Sequence, residues 1–158
     1  MSKTVKIIIL VVVCLAVGYG SGIVTQSAIE TWYVTLEKPF FNPPNWLFAP
    51  AWTTLYILMG ISAGIIWSKM DNMPKLVKKA LWVFAIQLIL NALWSFLFFG
   101  MQNPLLALIE ILLLWLLIFE TMKVFKPIDS LASKLLIPYI LWVSFATLLN
   151  ASIWWLNK

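Results

Sequence analysis

The sequence predicts an all-α membrane protein, a bundle of five transmembrane helices. Of its 158 residues, 63% are hydrophobic and only 11% are charged, whereas roughly 25% of an ordinary soluble domain is charged. The apolar residues spread over nearly the whole chain, and five stretches between lysine or acidic landmarks approach the ~20 residues that cross a bilayer. We therefore expect the membrane to be the solvent of this fold.

The five segments follow one another with few breaks. They run from about residue 7 to 24, 48 to 67, 80 to 99, 105 to 122 and 135 to 156. Pro104 marks the turn before the fourth segment, and Pro138 is tolerated in the fifth because first-turn N–H groups lack helical partners anyway. A cleaved signal peptide is the alternative for the first segment, since Lys3 and Lys6 precede its apolar core. The uncharged stretch continues to Ile29, which favours a span.

Two G-x-x-x-G pairs lie in the first two segments, Gly18 with Gly22 and Gly60 with Gly64. Such pairs allow helices to approach closely in lipid. They are as consistent with packing inside the bundle as with dimerisation.

The lysines predict the orientation. With the N-terminus inside, nine of the eleven basic residues, all lysines, fall on the cytoplasmic side, and only Lys38 and Lys158 fall outside. Positively charged loops remain cytoplasmic, so we predict a cytoplasmic N-terminus and an outside C-terminus, in the cell membrane of a prokaryote. Topology thus explains the net charge of +5, and no nucleic-acid partner is expected.

Missing residue types exclude several chemistries. Histidine is absent and Cys14 is the single cysteine. This excludes Ser-His-Asp and Cys-His catalysis, histidine zinc sites, cysteine metal clusters, internal disulfides and histidine ligation of haem iron. We predict no metal site and no required cofactor, and we read Cys14 as a small buried apolar residue. Any tetrapyrrole must then be held by shape, stacking and hydrogen bonds.

One long connection, about residues 25 to 47, separates the first two segments. Prolines stiffen it and aromatic side chains give it something to bury; these residues are Trp32, Tyr33, Pro39, Phe40, Phe41, Pro43, Pro44 and Trp46. Connections of that length and content are often functional lids. An aromatic belt at the membrane interface is the alternative.

The third and fifth segments each carry one face suited to a site. Gln87, Asn91 and Ser95 recur every four residues, with Trp94 beside them, although hydrogen bonds between helices would explain the same polar face. In the fifth segment the offsets of three and four leave a slot at a small residue between rings; this face comprises Trp142, Phe145, Ala146, Leu149 and Asn150.

Depth brings these faces together. At ~1.5 Å per residue, Asn91 lies ~18 Å above Lys79, and Trp52, Trp94, Ala146 and Asn150 share the outer half of the bilayer. Trp142 would form the floor and the long connection the roof. An apolar pocket with a few polar groups is the default ligand site.

Two carboxylates, Glu110 and Glu120, fall inside the fourth segment. Ionisable groups at membrane depth are costly and often functional. Lys123 is a candidate i+3 partner for Glu120. Snorkelling or a place in a dimer contact explains Glu110 as well as proton coupling does, and we assign neither residue to the pocket.

Several motifs resemble the translocator protein or tryptophan-rich sensory protein family (TspO/MBR). The resemblance covers nearly the whole chain. Its motifs are Trp32-Tyr33, Leu36-Glu37-Lys38-Pro39, Pro43-Pro44, Phe48, Pro50, Trp52, Leu55-Tyr56, Asn91, Trp94-Ser95, Phe98-Phe99, Pro138-Tyr139, Trp142, Phe145-Ala146 and Leu149-Asn150.

The resemblance implies a five-helix bundle, commonly a homodimer, that binds porphyrins, haem and benzodiazepine-site ligands such as isoquinoline carboxamides. By position it assigns the pocket to Tyr33, Trp52, Asn91, Trp94, Trp142, Phe145, Ala146 and Asn150. It also links Trp52 and Trp142 to light-dependent porphyrin breakdown. The proposed cholesterol motif of animal members is absent, because no Lys or Arg follows Tyr139 before Lys158, so high-affinity sterol binding is not expected.

The leading functional hypothesis is therefore a porphyrin-binding sensor or regulator. An enzyme that photo-oxidises porphyrin through Trp52 and Trp142 is the alternative. A transporter of amphipathic molecules is a third, disfavoured because an odd number of spans without an internal repeat is unlike most transporters. A scaffold without a ligand is the fourth.

Overall fold

The computed structural model describes residues 1–158 as an all-helical chain. Its helices are α1 (Lys3–Thr31), α2 (Asn45–Trp67), α3 (Pro74–Ser95), α4 (Pro104–Phe125), α5 (Ser130–Lys134) and α6 (Ile137–Leu156). A π-helical turn, Phe96–Gly100, continues α3, and a 3₁₀ turn, Tyr33–Thr35, lies between α1 and α2. Five helical units are long and apolar enough to cross a membrane, with α5 and α6 forming one of them. The predicted fold class is confirmed, while the direction of insertion stays a prediction.

The five spans form a closed ring. α1 packs most extensively on α2, α3 on α4, and α4 on α6, while α1 also contacts α3 and α2 contacts α5 and α6. The order around the bundle is therefore α2, α1, α3, α4 and α6. Each span contributes one wall, so residues far apart in sequence can line a common interior.

The connection between α1 and α2 is shorter than predicted. α1 continues to Thr31 instead of ending near residue 24, and α2 begins at Asn45. The glycines of α1 stay helical because no proline interrupts them, and the Thr25 and Thr31 hydroxyls donate to the carbonyls four residues earlier. Pro44, in an extended conformation, ends the connection. We call this connection, residues 32–44, the outer loop.

The predicted fifth segment is interrupted near its start. A short helix, α5, is followed by Leu135 and Leu136, and α6 begins at Ile137. Pro138 lacks the N–H that would bond the Lys134 carbonyl in a continuous helix. The chain therefore bends once before it crosses the bundle as α6.

Glycines bring the inner halves of α1 and α2 into backbone contact. A Cβ added to Gly60 would collide with the backbone of Val11, and one added to Gly64 would lie 2.5 Å from Ile7 Cα. The second G-x-x-x-G pair therefore packs helices within one chain. Gly18 is covered by the Tyr56 ring, whereas a Cβ on Gly22 would meet nothing within 4 Å. α1 and α2 thus fit tightly below Gly18 and leave space above it.

Candidate functional site

A cavity of about 630 Å³ occupies the space above that contact. Its volume falls in the range of roughly 300–1,000 Å³ that is usual for small-molecule sites. Four spans and the outer loop line it, through Leu15, Gly18, Tyr19, Ser21, Gly22, Ile23, Thr25, Gln26, Ile29, Tyr33, Asn45, Phe48, Ala49, Trp52, Thr53, Tyr56, Trp94, Ser95, Phe98, Phe99, Trp142, Ala146, Leu149, Asn150 and Ile153.

Six of the eight predicted site residues line this cavity, and two do not. The six are Tyr33, Trp52, Trp94, Trp142, Ala146 and Asn150. Asn91 and Phe145 lie behind the wall. The structure thus brings most of the predicted set together, while the role of each residue in binding stays a prediction.

Asn91 was predicted to line the pocket, but its side-chain amide forms hydrogen bonds between helices instead. Tyr56 Oη donates to Asn91 Oδ1 at 2.5 Å, and Asn91 Nδ2 donates to Tyr139 Oη at 2.7 Å. Tyr139 Oη in turn donates to Gln87 Oε1 at 2.8 Å. These buried hydrogen bonds connect α2, α3 and α6. Gln87 and Asn91, on the polar face of α3, therefore form hydrogen bonds between helices, which was the alternative interpretation of that face. Tyr56 links this network to the cavity.

Phe145 supports the site from behind. Its ring lies 5.7 Å from the Trp142 ring and 6.1 Å from the Phe41 ring, measured between centroids. Phe41 belongs to the outer loop. Phe145 therefore connects the wall of the cavity to its roof without lining the cavity itself.

Two indoles form perpendicular surfaces at the base of the cavity. The Trp52 and Trp142 ring centroids are 6.4 Å apart with an interplanar angle of 85°. The Nε1 of Trp142 is buried and has no hydrogen-bond partner. Trp94 differs, because its Nε1 donates to Asn150 Oδ1 at 3.0 Å while Asn150 Nδ2 donates to the Pro104 carbonyl. A buried donor without a partner costs free energy, so Trp142 offers an unfilled hydrogen bond at the site.

One residue of the outer loop, Tyr33, lines the outer end of the cavity. Tyr33 is 3% exposed and packs against Phe98 and Phe99 of the π-helical turn. Its hydroxyl donates to Asn42 Oδ1 at 2.9 Å and closes the loop on itself. Burial raises the pKa of Tyr33 to about 12, despite that hydrogen bond, which lowers it. The phenol therefore stays a neutral donor at physiological pH.

The cavity is open on one flank, between the outer halves of α1 and α2. Tyr19 and Ile23 line it, yet they are 76% and 61% exposed. The two helices cannot close here as they do at Gly60 and Gly64. This opening faces the surface that a bilayer would cover.

The sequence reasoning missed the contribution of α1. Nine residues of this helix line the cavity, including Gly22 and Ser21, whose hydroxyl is buried without a partner. The signal was the four-residue spacing of Gly18, Gly22 and Gln26. We read these glycines only as packing surfaces.

The two membrane glutamates lie outside the cavity. Glu120 pairs with Lys123, with 3.3 Å between Oε2 and Nζ. Glu110 is 7% exposed, and neither carboxyl oxygen has a hydrogen-bond partner. Its side chain is therefore buried within one chain, which contradicts the snorkelling and dimer-contact interpretations. No group of three or more Cys, Asp or Glu side chains is arranged to hold a metal ion.

Comparison with known proteins gives a consistent match. The profile of the TspO/MBR family matches residues 10–156. The chain is 47% identical to the tryptophan-rich protein TspO of Chlorobaculum tepidum, over 91% of this chain and 90% of that protein. It is 45% identical to the protein of the same name from Archaeoglobus fulgidus, over 96% and 97%. It is 36% identical to the translocator protein of Ovis aries, over 80% and 75%.

Proposed function

The chain belongs to the TspO/MBR family, and we propose that it binds porphyrin- and haem-like and benzodiazepine-site ligands as a tetrapyrrole sensor or regulator. Membership supports a multi-pass membrane protein with a sensory or binding function. The specific ligands are the proposal. We also propose that it works as a homodimer in a prokaryotic plasma membrane, as the lysine distribution and the family resemblance suggest.

The pair of perpendicular indoles is the observation that carries this proposal. A flat macrocycle stacked on Trp52 would meet the edge of Trp142. Aromatic pairs in stacked or edge-to-face geometry contribute about 0.5–1.5 kcal/mol beyond area burial. A cavity with two such surfaces favours flat aromatic ligands over flexible aliphatic ones.

Polar atoms in the wall suggest how such a ligand would be oriented. Trp142 Nε1 and Ser21 Oγ are buried without partners, and both residues line the cavity. Protoporphyrin and haem carry propionate carboxylates, and isoquinoline carboxamides carry a carbonyl, so both ligand types have acceptors for these donors. Filling an unsatisfied buried donor recovers its desolvation cost, which would make one orientation preferred.

Competition between the two ligand types tests the proposal. Protein in lipid nanodiscs is titrated with protoporphyrin in the dark, and an isoquinoline carboxamide is then added. Saturation at one porphyrin per chain, with displacement by the carboxamide, is expected because both would occupy the same cavity. Uptake that rises without saturation and resists displacement would mean partitioning into lipid and would reject the proposal.

The same indole pair favours a second candidate, light-dependent oxidative breakdown of porphyrin with dissolved dioxygen as the oxidant. Indole is easily oxidised, and both rings would contact a macrocycle held in the cavity. Illuminated product formation is compared among the wild type, Trp52→Phe, Trp142→Phe and Trp82→Phe, whose ring is exposed outside the cavity. Loss of product in the first two variants alone supports an enzyme. Equal product in all four rejects it.

A further inference from the structure

The last helix is tied to the outer loop by one side chain. Asn157 Oδ1 accepts from the Glu37 backbone N–H at 2.9 Å, and Asn157 Nδ2 donates to the Glu37 carbonyl at 2.8 Å. The two residues are 120 positions apart. The backbone N–H and the backbone carbonyl of Glu37 are therefore both hydrogen-bonded to the side-chain amide of Asn157.

The Asn157 side chain is itself held in place. Its Nδ2 also donates to the Ile153 carbonyl at 2.8 Å, and its backbone N–H points to the carbonyls of Ile153 and Trp154 at the end of α6. An asparagine amide has two donors and a carbonyl acceptor. Both donors and the acceptor of the Asn157 amide are hydrogen-bonded here. The end of α6 therefore holds the amide in a fixed position against Glu37.

The middle of the outer loop makes no other hydrogen bond to the bundle, although Leu36 packs against the buried cluster that includes Leu149 and Ile153. Tyr33 anchors its beginning among the rings of the π-helical turn, and Phe41 rests on Phe145 near its end. Between these points Glu37 is exposed and Phe40 is 100% exposed. Lys38 bonds only the neighbouring Leu36 carbonyl and lies over the Tyr33 ring, both within the loop. Asn157 is thus the hydrogen-bonded link from this stretch to the helices.

We propose that Asn157 is a positioning residue that latches the outer loop over the cavity and so sets how fast ligand exchanges through that end. The ligand part of this inference rests on the proposed function. Surface loops with few buried contacts open locally at low free-energy cost, and a lid over one entrance limits association and dissociation of the ligand that uses that entrance. Breaking the latch raises both rates together, because the open fraction rises in the free and the bound protein alike.

Amide exchange tests the latch without any ligand. In Asn157→Ala the Glu37 amide hydrogen is expected to exchange with solvent about tenfold faster than in the wild type, equivalent to about 1.4 kcal/mol. Asn157 is exposed and follows the last turn of α6, so the thermal unfolding midpoint is expected to stay close to the wild-type value. Unchanged exchange at Glu37 would overturn the latch.

Two control variants separate the latch from general effects. Glu37→Ala keeps the backbone groups that Asn157 bonds, so its exchange is expected to match the wild type. Asn103→Ala removes another asparagine at the same end of the bundle, whose side chain bonds only Leu106 N–H in its own helix. Acceleration in either control equal to that in Asn157→Ala would contradict the specific role of Asn157.

Stopped-flow mixing with protoporphyrin tests the effect on ligand exchange. Association and dissociation rate constants are both expected to rise in Asn157→Ala, by at most about tenfold because the flank between α1 and α2 is a second entrance that the latch does not control, with a much smaller change in Kd. Faster amide exchange with unchanged porphyrin rates would overturn the gating role. If the wild-type protein binds no porphyrin, the proposed function fails, and amide exchange alone then decides whether the latch exists.

Discussion

Gly20 and Gly22 lie two residues apart on α1, and only Gly22 lines the cavity. An added Cβ would meet open space at both positions. A side chain would therefore fit at either position, but only one at position 22 would enter the cavity. This pair offers a direct test of the cavity at the scale of one residue.

Replacing Gly22 by leucine is expected to weaken porphyrin binding by roughly tenfold or more, about 1.4 kcal/mol. The new side chain would occupy volume that the ligand needs. Titration of each purified variant with protoporphyrin measures the effect. Gly20→Leu is the matched control and should bind as the wild type does. Equal affinities for both variants would place the ligand elsewhere.

Glu110 shows how a single buried group can limit stability. Its carboxyl oxygens have no partners although the side chain is almost fully buried. A polar group in that state costs roughly 1–3 kcal/mol. Glu110→Leu is therefore expected to raise the thermal unfolding midpoint in detergent.

The comparison for Glu110 is Glu120→Leu, which removes a carboxylate from the same helix. Glu120 pairs with Lys123 near the exposed end, and changes at such sites usually stay within about 0.5 kcal/mol. A lower midpoint in Glu110→Leu would show that the carboxyl has a partner in the membrane.

At the scale of elements, the contact between α1 and α2 decides where the cavity can form. Gly60 and Gly64 let the inner halves touch backbone to backbone. Above Gly18 the helices leave space that the outer loop covers. The cavity therefore begins above the two α2 glycines, where α1 and α2 no longer meet backbone to backbone.

Gly60→Ala is expected to destabilise the protein by roughly 1–3 kcal/mol, the usual cost of overpacking. The added methyl would collide with the Val11 backbone, which cannot move without shifting α1. Gly20→Ala should instead be neutral or slightly stabilising, because alanine is favoured by up to about 1 kcal/mol in helices. Thermal unfolding of both variants checks the opposite signs. A stable Gly60→Ala protein would mean that α1 and α2 do not pack as described.

The spans were predictable from the sequence, and their ends were not. Charge-free apolar stretches indicate a helix in lipid almost by themselves, so all five were found. The predicted end of α1, near residue 24, was too early: the helix continues to Thr31, and its glycines at positions 18, 20 and 22 pack against Tyr56 or face open space within a continuous helix. The bend before α6 was not predicted, because Pro138 can also be accommodated in the first turn of a helix that begins near residue 135.

The site was predictable where rings and small residues alternate on one helix, as at Trp142 and Ala146. Asn91 was not, because its partners Tyr56 and Tyr139 lie 35 and 48 residues away. No local pattern shows whether a buried amide faces a cavity or another helix. The latch at Asn157 was missed for the same reason, since its partner is a backbone group in a distant loop.

At the scale of the whole molecule, five spans place the termini at opposite ends. Lysines collect at the end that holds the N-terminus, where Lys6 lies over Trp67 and Lys69 pairs with Asp129. We predict that this end is cytoplasmic. The outer loop and the cavity then face the outer half of the bilayer.

Thiol labelling of intact cells checks this orientation. Cys14 is fully buried, so it should contribute little background. A cysteine in the Lys158→Cys variant is expected to react with a membrane-impermeant reagent in intact cells, whereas one in Asn72→Cys should react only after lysis. The reverse labelling pattern would show that the N-terminus lies outside the cell and would contradict the predicted orientation.

The central claim is that a flat ligand occupies the cavity against Trp52 and Trp142. Titration of purified protein with protoporphyrin in the dark, followed by tryptophan quenching, tests it most directly. The account predicts saturable binding that weakens by about 2- to 10-fold in Trp52→Phe and in Trp142→Phe, in line with about 0.5–1.5 kcal/mol per aromatic pair, while Trp82→Phe binds as the wild type does. Quenching that fails to saturate, or that is equal in all four proteins, would contradict it.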